Sequence, residues 1–214
     1  MKYNKKITQG ITKEFADEFK NNDLFNFFEK HKDELFIGTR NNYLNLYYNC
    51  DSISKITYKI KEKNLNWIID NYYFTGVHYI SKSKEKYKVI DGIELSKQYE
   101  IIKKHSDYKA TLEKKAQSKL VLLNNRNSNW FCIDVEYVKA FQNKKEKDKA
   151  DFNGRFDIIA ISKKKPHKIA LIELKKYGNR TIGGNSGIYK HVEDFAKFYE
   201  KNILIATWKT KLLK

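Results

Sequence analysis

The stretch RFDIIAISKKKPHKIALIELK, residues 155–175, decides how this chain is read. RFDIIAIS and KIALIELK are two strand-like runs, and the short polar connection SKKKPH joins them as a hairpin. Asp157 opens the first strand. Glu173 and Lys175 close the second, two residues apart, so their side chains leave one face. The hairpin then brings Asp157 beside Glu173. Two carboxylates at a sheet end make a hard oxygen site for Mg²⁺, with Mn²⁺ as an alternative. A lysine beside such a site can hold, or help deprotonate, an attacking water.

Outward from this hairpin, the second half reads as helix, three strands, helix, strand. A helix is expected from Asp107 to Leu123, with Asp107 as N-cap and Leu112, Ala116, Leu120 and Leu123 as its buried stripe. WFCIDVEYVKAF is a strand and KKEKDKAD a charged loop. After the hairpin come the glycine-rich YGNRTIGGNSG, the amphipathic helix YKHVEDFAKFYE and a last strand, ILIATW.

The first hundred residues read differently. Residues 1–35 are helical, with Ile11, Phe15 and Phe19 every fourth position and Leu24, Phe27 and Phe28 continuing the face. YLNLYYNC, SKITYKIK and LNWIID alternate as successive strands, the first turn falling at Asn49–Ser52, so residues 36–80 form an antiparallel meander. Its tyrosines are read as filling a half-buried sheet rather than stacking on bases. A further helix begins near Glu94.

The organisation expected is therefore α/β. Residues 1–100 form an N-terminal accessory domain of helices and β-meander, and residues 101–214 a second domain with a mixed sheet.

Apolar residues make up 41% of the 214, enough for a real core, and charged residues 32%, which describes a soluble globular chain. No run of about 18 apolar residues could span a bilayer. MKYNKKITQGITKEF lacks the apolar centre of a signal peptide, so a cytoplasmic location is expected. Cys50 and Cys132 match no metal-ligand spacing, and reduced thiols are the simpler reading. The net charge of +17 is uneven: residues 1–100 hold 17 basic and 14 acidic side chains, residues 101–214 hold 26 and 12. A polyanion partner is expected on the second half. A lysine-rich proteome also accounts for the total, but less well for the asymmetry.

The pattern Phe156-Asp157 … Glu173-Leu174-Lys175 resembles the PD-(D/E)xK nuclease superfamily, over residues 105–208. Phe156 stands where the family name has proline. The resemblance implies a restriction-endonuclease-like core of helix, three antiparallel strands, helix and strand. It also implies Asp157 and Glu173 as metal ligands, with the Leu174 carbonyl helping, and Lys175 as the catalytic lysine. Glu113, on the helix before the first strand, matches the glutamate many members carry there. In related nucleases the helix after Glu-x-Lys carries polar residues facing the site. His191 occupies that helix and would contact a phosphate or a water.

Asp134 and Glu136 share a face of their strand with Cys132, and Glu136 is a candidate additional metal ligand. The loop from Gly178 to Gly187 contains four glycines and leads into a helix, a place to hold a phosphate with Lys176, Arg180 and Lys190 assisting. A plain connector is the other reading of that loop. Its spacing fits no nucleotide-cofactor motif. The expected function is a Mg²⁺-dependent endo- or exonuclease acting on DNA in preference to RNA. A non-catalytic nucleic-acid-binding module and a protein-interaction domain are its rivals. A homodimer is compatible with the sequence, though no residue specifies one.

Overall fold

The computed structural model describes residues 10–78, 83–138, 144–145, 148, 151–152, 154–175, 182–184 and 187–200. It is a mixed α/β chain that divides into two compact units, Gln9–Leu122 and the part from Leu123 onward. No helix among the described residues is long and apolar enough to cross a membrane.

The N-terminal unit starts with α1 (Lys13–Lys20) and α2 (Asp23–Lys30). Thr12 and Asn22 cap them by accepting from the backbone N–H groups of Phe15 and Leu24, and the Asn21–Asn22 break separates two helices where one helical stretch was expected. Residues 1–9 lie outside the described part. Next come β1 (Leu35–Thr39), β2 (Tyr43–Tyr48), β3 (Asp51–Lys59) and β4 (Asn64–Asp70), an antiparallel meander in sequence order. Asn49 and Cys50 make its first turn with φ of 51° and 55°, the left-handed pair a two-residue hairpin needs between Tyr48 and Asp51. The meander stops at Asp70. The one-turn α3 (Tyr72–Thr75) follows, and β5 (Tyr87–Val89) closes the five-stranded sheet against β4.

α4 (Gly92–Lys109), capped by Asp91, supplies Leu95, Tyr99 and Ile102 to a core with Phe15, Leu24 and Trp67. Most of the strand tyrosines are buried or half-buried in this sheet. α4 runs uninterrupted through residue 100, and the division between units falls later, within α5 (Leu112–Asn127). Asp107 therefore sits inside α4 and is not an N-cap; Thr111 takes that role, its hydroxyl accepting from Lys114 N. The leucine stripe expected to be buried on α5 is not: Leu112 is 70% and Leu123 62% exposed, while Gln117, Ser118 and Val121 are buried. Leucine spacing marks an amphipathic face, but packing chose a neighbouring one.

The C-terminal unit has a three-stranded antiparallel sheet, β6 (Trp130–Val138), β7 (Arg155–Ser162) and β8 (Ile169–Ile172), in that order. α6 (Ile188–Glu200) follows. Phe156 is buried against Phe195 and Phe198 of α6, at ring-centroid distances of 4.8 and 4.7 Å, with Tyr137 and Phe152 completing the cluster. The last strand expected, ILIATW, lies outside the described residues, as does the mixed character of the sheet that depended on it.

A bulge interrupts β6. Cys132 pairs with Ala160 but Asp134 pairs with Ile159, so one extra residue enters at Ile133. Ala160 and Ile159 are neighbours on opposite faces, which puts Cys132 and Asp134 on opposite faces too, contrary to simple alternation. Asn125 of α5 covers the break. Its side chain donates to Cys132 O at 3.2 Å and accepts from Cys132 N at 2.5 Å.

Candidate functional site

The ladder that pairs Ile158 with Ile172 ends there, and the next residues outward are Asp157 on β7 and Glu173 after β8. Asp157 Oδ2 accepts from the backbone N–H of Leu174 at 2.7 Å, carrying the pairing one step further through a side chain. Lys175 turns its ammonium onto Glu173, with Nζ 2.7 Å from Oε1. The three residues of the sequence pattern are thus neighbours at one end of the sheet.

The helix packed on Phe156 adds a fourth. His191 lies near the start of α6, with Nδ1 3.3 Å from Glu173 Oε1 and Nε2 3.3 Å from Lys175 Nζ. Sequence reading had marked His191 only as a contact for phosphate or water. Here its ring touches two other site residues.

The Glu173 side chain is 6% exposed. Burial pushes its carboxyl above the ordinary carboxylate range. The hydrogen bond from Lys175 opposes this, the charge of Asp157 adds to it, and His191 opposes it again. A half-buried pair of carboxylates that repel one another is an arrangement a cation relieves. Mg²⁺ is commonly held by one or two carboxylates and otherwise by water, so Asp157 and Glu173 suit it in number and hardness. Among the described residues no group of three or more His, Cys, Asp or Glu side chains is assembled to hold a metal.

Glu136 is enclosed between the pairs Val135–Ile158 and Tyr137–Phe156, which puts it next to Asp157 in the ladder. Its φ of 50° breaks the regular alternation of the strand there. Asp134 is buried, and its Oδ1 accepts from Val135 N at 2.9 Å. Glu113 belongs to the unit ending at Leu122 and not to the one carrying Asp157, Glu173 and Lys175.

Of the expected phosphate contacts, Lys176 and Arg180 lie outside the described residues. Lys190 is described, and its charge is engaged by Asp194 at 2.9 Å and Glu193 at 3.5 Å. At the start of α6, Gly187 backs onto Gly183 so closely that a Cβ would fall 2.5 Å from the Gly183 carbonyl oxygen, which a larger side chain could not accommodate without a shift.

A separate groove of about 410 Å³ opens on the sheet of the N-terminal unit, lined in part by Tyr43, Asn45, Lys55, Asp70 and Tyr87. Lys55 Nζ lies 4.4 Å from the centre of the Tyr43 ring. Both cysteines are free thiols and buried, in different units. Burial pushes the Cys132 thiol up to about 11, so it stays neutral and unreactive at physiological pH.

Comparison of the chain with protein-family models, with curated proteins and with solved structures finds no match in any of the three.

Proposed function

We propose that the protein is a divalent-metal-dependent nuclease that hydrolyses phosphodiester bonds, DNA in preference to RNA, with Asp157, Glu173 and Lys175 as its working residues. The observation that carries this reading is the convergence of those three side chains at one sheet end, tied by 2.7 Å contacts from Asp157 to Leu174 N and from Lys175 to Glu173. A pair of surface charges has no need of a second carboxylate alongside a buried one, because burying like charges together is costly.

Asp157 and Glu173 would hold Mg²⁺ or Mn²⁺, with the Leu174 carbonyl as a further donor. When bound, the ion supplies Lewis-acid stabilisation of charge on the scissile phosphate. Lys175 brings a positive charge to the same spot and would hold the attacking water and take part in its proton transfer. Glu173 orients that ammonium through their shared hydrogen bond. The basic excess of residues 101–214 would draw the polyanion, with an affinity that falls steeply as salt rises.

The test is a titration of Mg²⁺ and Mn²⁺ with cleavage of plasmid and oligonucleotide as readout, wild type against Asp157→Ala. Cleavage by the wild type that the variant lacks supports the reading. A wild type that binds DNA but neither cleaves it nor takes up millimolar divalent ion is a binding module instead.

A further inference from the structure

The sheet of the N-terminal unit has two unlike faces. Leu44, Ile56, Trp67 and Ile69 enter the core with Phe15, Leu24 and Leu95. The strand register fixes what lies on the other face. Asn45 pairs with Lys55, Lys55 with Ile68 and Ile68 with Val89, so these four form a row straight across β2 to β5. Tyr43 stands two residues before Asn45 and shares its face. Asp70 stands two residues after Ile68 and pairs with Tyr87. An antiparallel sheet can turn one face to water, and that face is then ordinarily polar. This one keeps an aromatic and an apolar side chain in the open: Tyr87 is 52% and Val89 65% exposed.

The groove of about 410 Å³ runs over this face, with Tyr43, Asn45, Lys55, Ile68, Asp70 and Tyr87 in its lining. Its length follows from the pairing. Tyr43 and Tyr87 are three strand spacings apart and four residues offset, which separates their backbones by ~20 Å along a diagonal, at ~4.8 Å per strand and ~3.4 Å per residue. A ligand that touches both is elongated. Each end carries the same pairing of ring and cation. Lys55 Nζ lies 4.4 Å from the centre of the Tyr43 ring, and Lys86 Nζ lies 5.3 Å from that of Tyr87. Between the ends sit the Asn45 amide and the Asp70 carboxylate, the latter fixed by accepting from Tyr72 N at 3.0 Å.

We propose that this face binds single-stranded nucleic acid, with bases stacked on Tyr43 and Tyr87 and backbone phosphates at Lys55 and Lys86. Rings with cations beside them suit an unpaired strand, because every base has a π-face to stack and every nucleotide brings a phosphate. In the free protein the ammonium groups rest near the rings. Such a contact is weaker than base stacking, so an incoming base takes the ring and leaves the lysine to the phosphate. Asn45 and Asp70 offer an amide and a carboxylate to the donors and acceptors of base edges. A duplex keeps its base faces in its own stack and cannot use the rings. The groove belongs to the N-terminal unit, so the proposal does not depend on the metal-site reading of Asp157 and Glu173.

Two measurements on the full-length chain test this. The first is fluorescence anisotropy in EDTA, where no cleavage intervenes, with a labelled single strand of about 12 nucleotides and with the matching duplex. Tyr43→Ala and Tyr87→Ala should each weaken single-strand binding about 5–100-fold, the usual worth of one stacked base, and leave duplex binding unchanged. Tyr43→Phe and Tyr87→Phe keep the ring and should bind as the wild type does. The second is ultraviolet crosslinking of the wild type to the same strand, which needs no variant to fold; adducts are expected at Tyr43 or Tyr87. Alanine variants that bind the strand as tightly as wild type, or lose strand and duplex equally, would overturn the proposal. So would adducts confined to residues 101–214, or a wild type that takes up no single strand at low salt. A free mononucleotide that competes as well as the oligomer would also overturn it, making the groove a pocket for one nucleotide. A protein that binds the strand in this way but cleaves nothing in Mg²⁺ loses the nuclease reading alone.

Discussion

Asp157 accepts a 2.7 Å hydrogen bond from the backbone of Leu174, the residue between Glu173 and Lys175. One carboxylate therefore positions the segment that carries the other two site residues. β8 ends at Ile172, so regular strand pairing no longer holds Glu173 and Lys175 in place, and the side chain of Asp157 takes over. The metal-ligand role proposed for Asp157 and its structural role as an acceptor are separable.

Asp157→Asn and Asp157→Ala should separate them. Asparagine keeps an oxygen for Leu174 N but removes the charge, so the fold should hold while divalent binding and cleavage are lost. Alanine should lose those and also cost about 1.5–3 kcal/mol, the usual worth of a hydrogen bond to a charged group. Calorimetric titration with Mn²⁺ and urea denaturation check the two halves. Equal stability of the two variants would show that the Leu174 contact contributes nothing.

Lys175→Met should behave in the opposite way towards metal. The ammonium lies 2.7 Å from Glu173 Oε1, so removing it takes a competing cation away from that oxygen, and divalent affinity should stay the same or tighten. Cleavage should fall about 10²–10⁴-fold, the usual cost of a lost proton-transfer group. A Lys175→Met protein that cleaves as fast as wild type would remove this lysine from the catalytic set.

Glu173→Gln should stabilise the metal-free protein at neutral pH. The Glu173 carboxyl titrates above its unfolded value, chiefly through burial, so the folded state takes up its proton first as pH falls. The penalty is present in full above the folded pKa and disappears as pH drops through it. The stability advantage of the variant should therefore shrink on acidification and be largest at neutral pH. Adding Mn²⁺ should raise the melting temperature of the wild type but not of Glu173→Gln. Thermal melts across the acid-to-neutral range, with and without Mn²⁺, read both effects.

Phe156→Ala should unfold the C-terminal unit or come close to it. The ring is 1% exposed and meets three other aromatic rings, Tyr137, Phe195 and Phe198. Losing a buried phenylalanine costs about 3–5 kcal/mol, a large share of the about 5–15 kcal/mol that holds a domain together. α6 and with it His191 lose their seat. Urea denaturation should show a transition shifted by that amount, whereas Phe156→Leu should retain most of the stability.

Cys132 should resist thiol reagents in the native protein and react fully in urea. Burial holds its thiol up at about 11, so the folded state keeps a proton that the unfolded state releases earlier. Stability is lost as pH rises from the ordinary thiol range through about 11, and Cys132→Ala should lose less there. Urea denaturation of the two proteins at alkaline pH gives the difference directly. A wild type no more sensitive to alkali than Cys132→Ala would show that the thiol is not held in its neutral form.

Much of this was legible in the residues themselves. The meander, its Asn49 turn and the hairpin of residues 155–175 follow from local rules: alternation, turn chemistry and short connections act between neighbours in the chain. The adjacency of Asp157 and Glu173 belongs here as well, because a tight hairpin leaves its strand ends no other place to be. Other features needed the tertiary structure. Leu112 and Leu123 repeat like a core stripe, yet they are exposed, since which helical face is buried depends on the surface the helix meets and not on its own spacing. The Ile133 bulge moves Cys132 and Asp134 to opposite faces, because one inserted residue resets a period of two. His191 lies 16 residues after Lys175, and nothing local links them. Only the packing of Phe195 and Phe198 onto Phe156 turns its helix so that the ring reaches both Lys175 and Glu173, for a contact between distant residues is set by the core that holds their elements together.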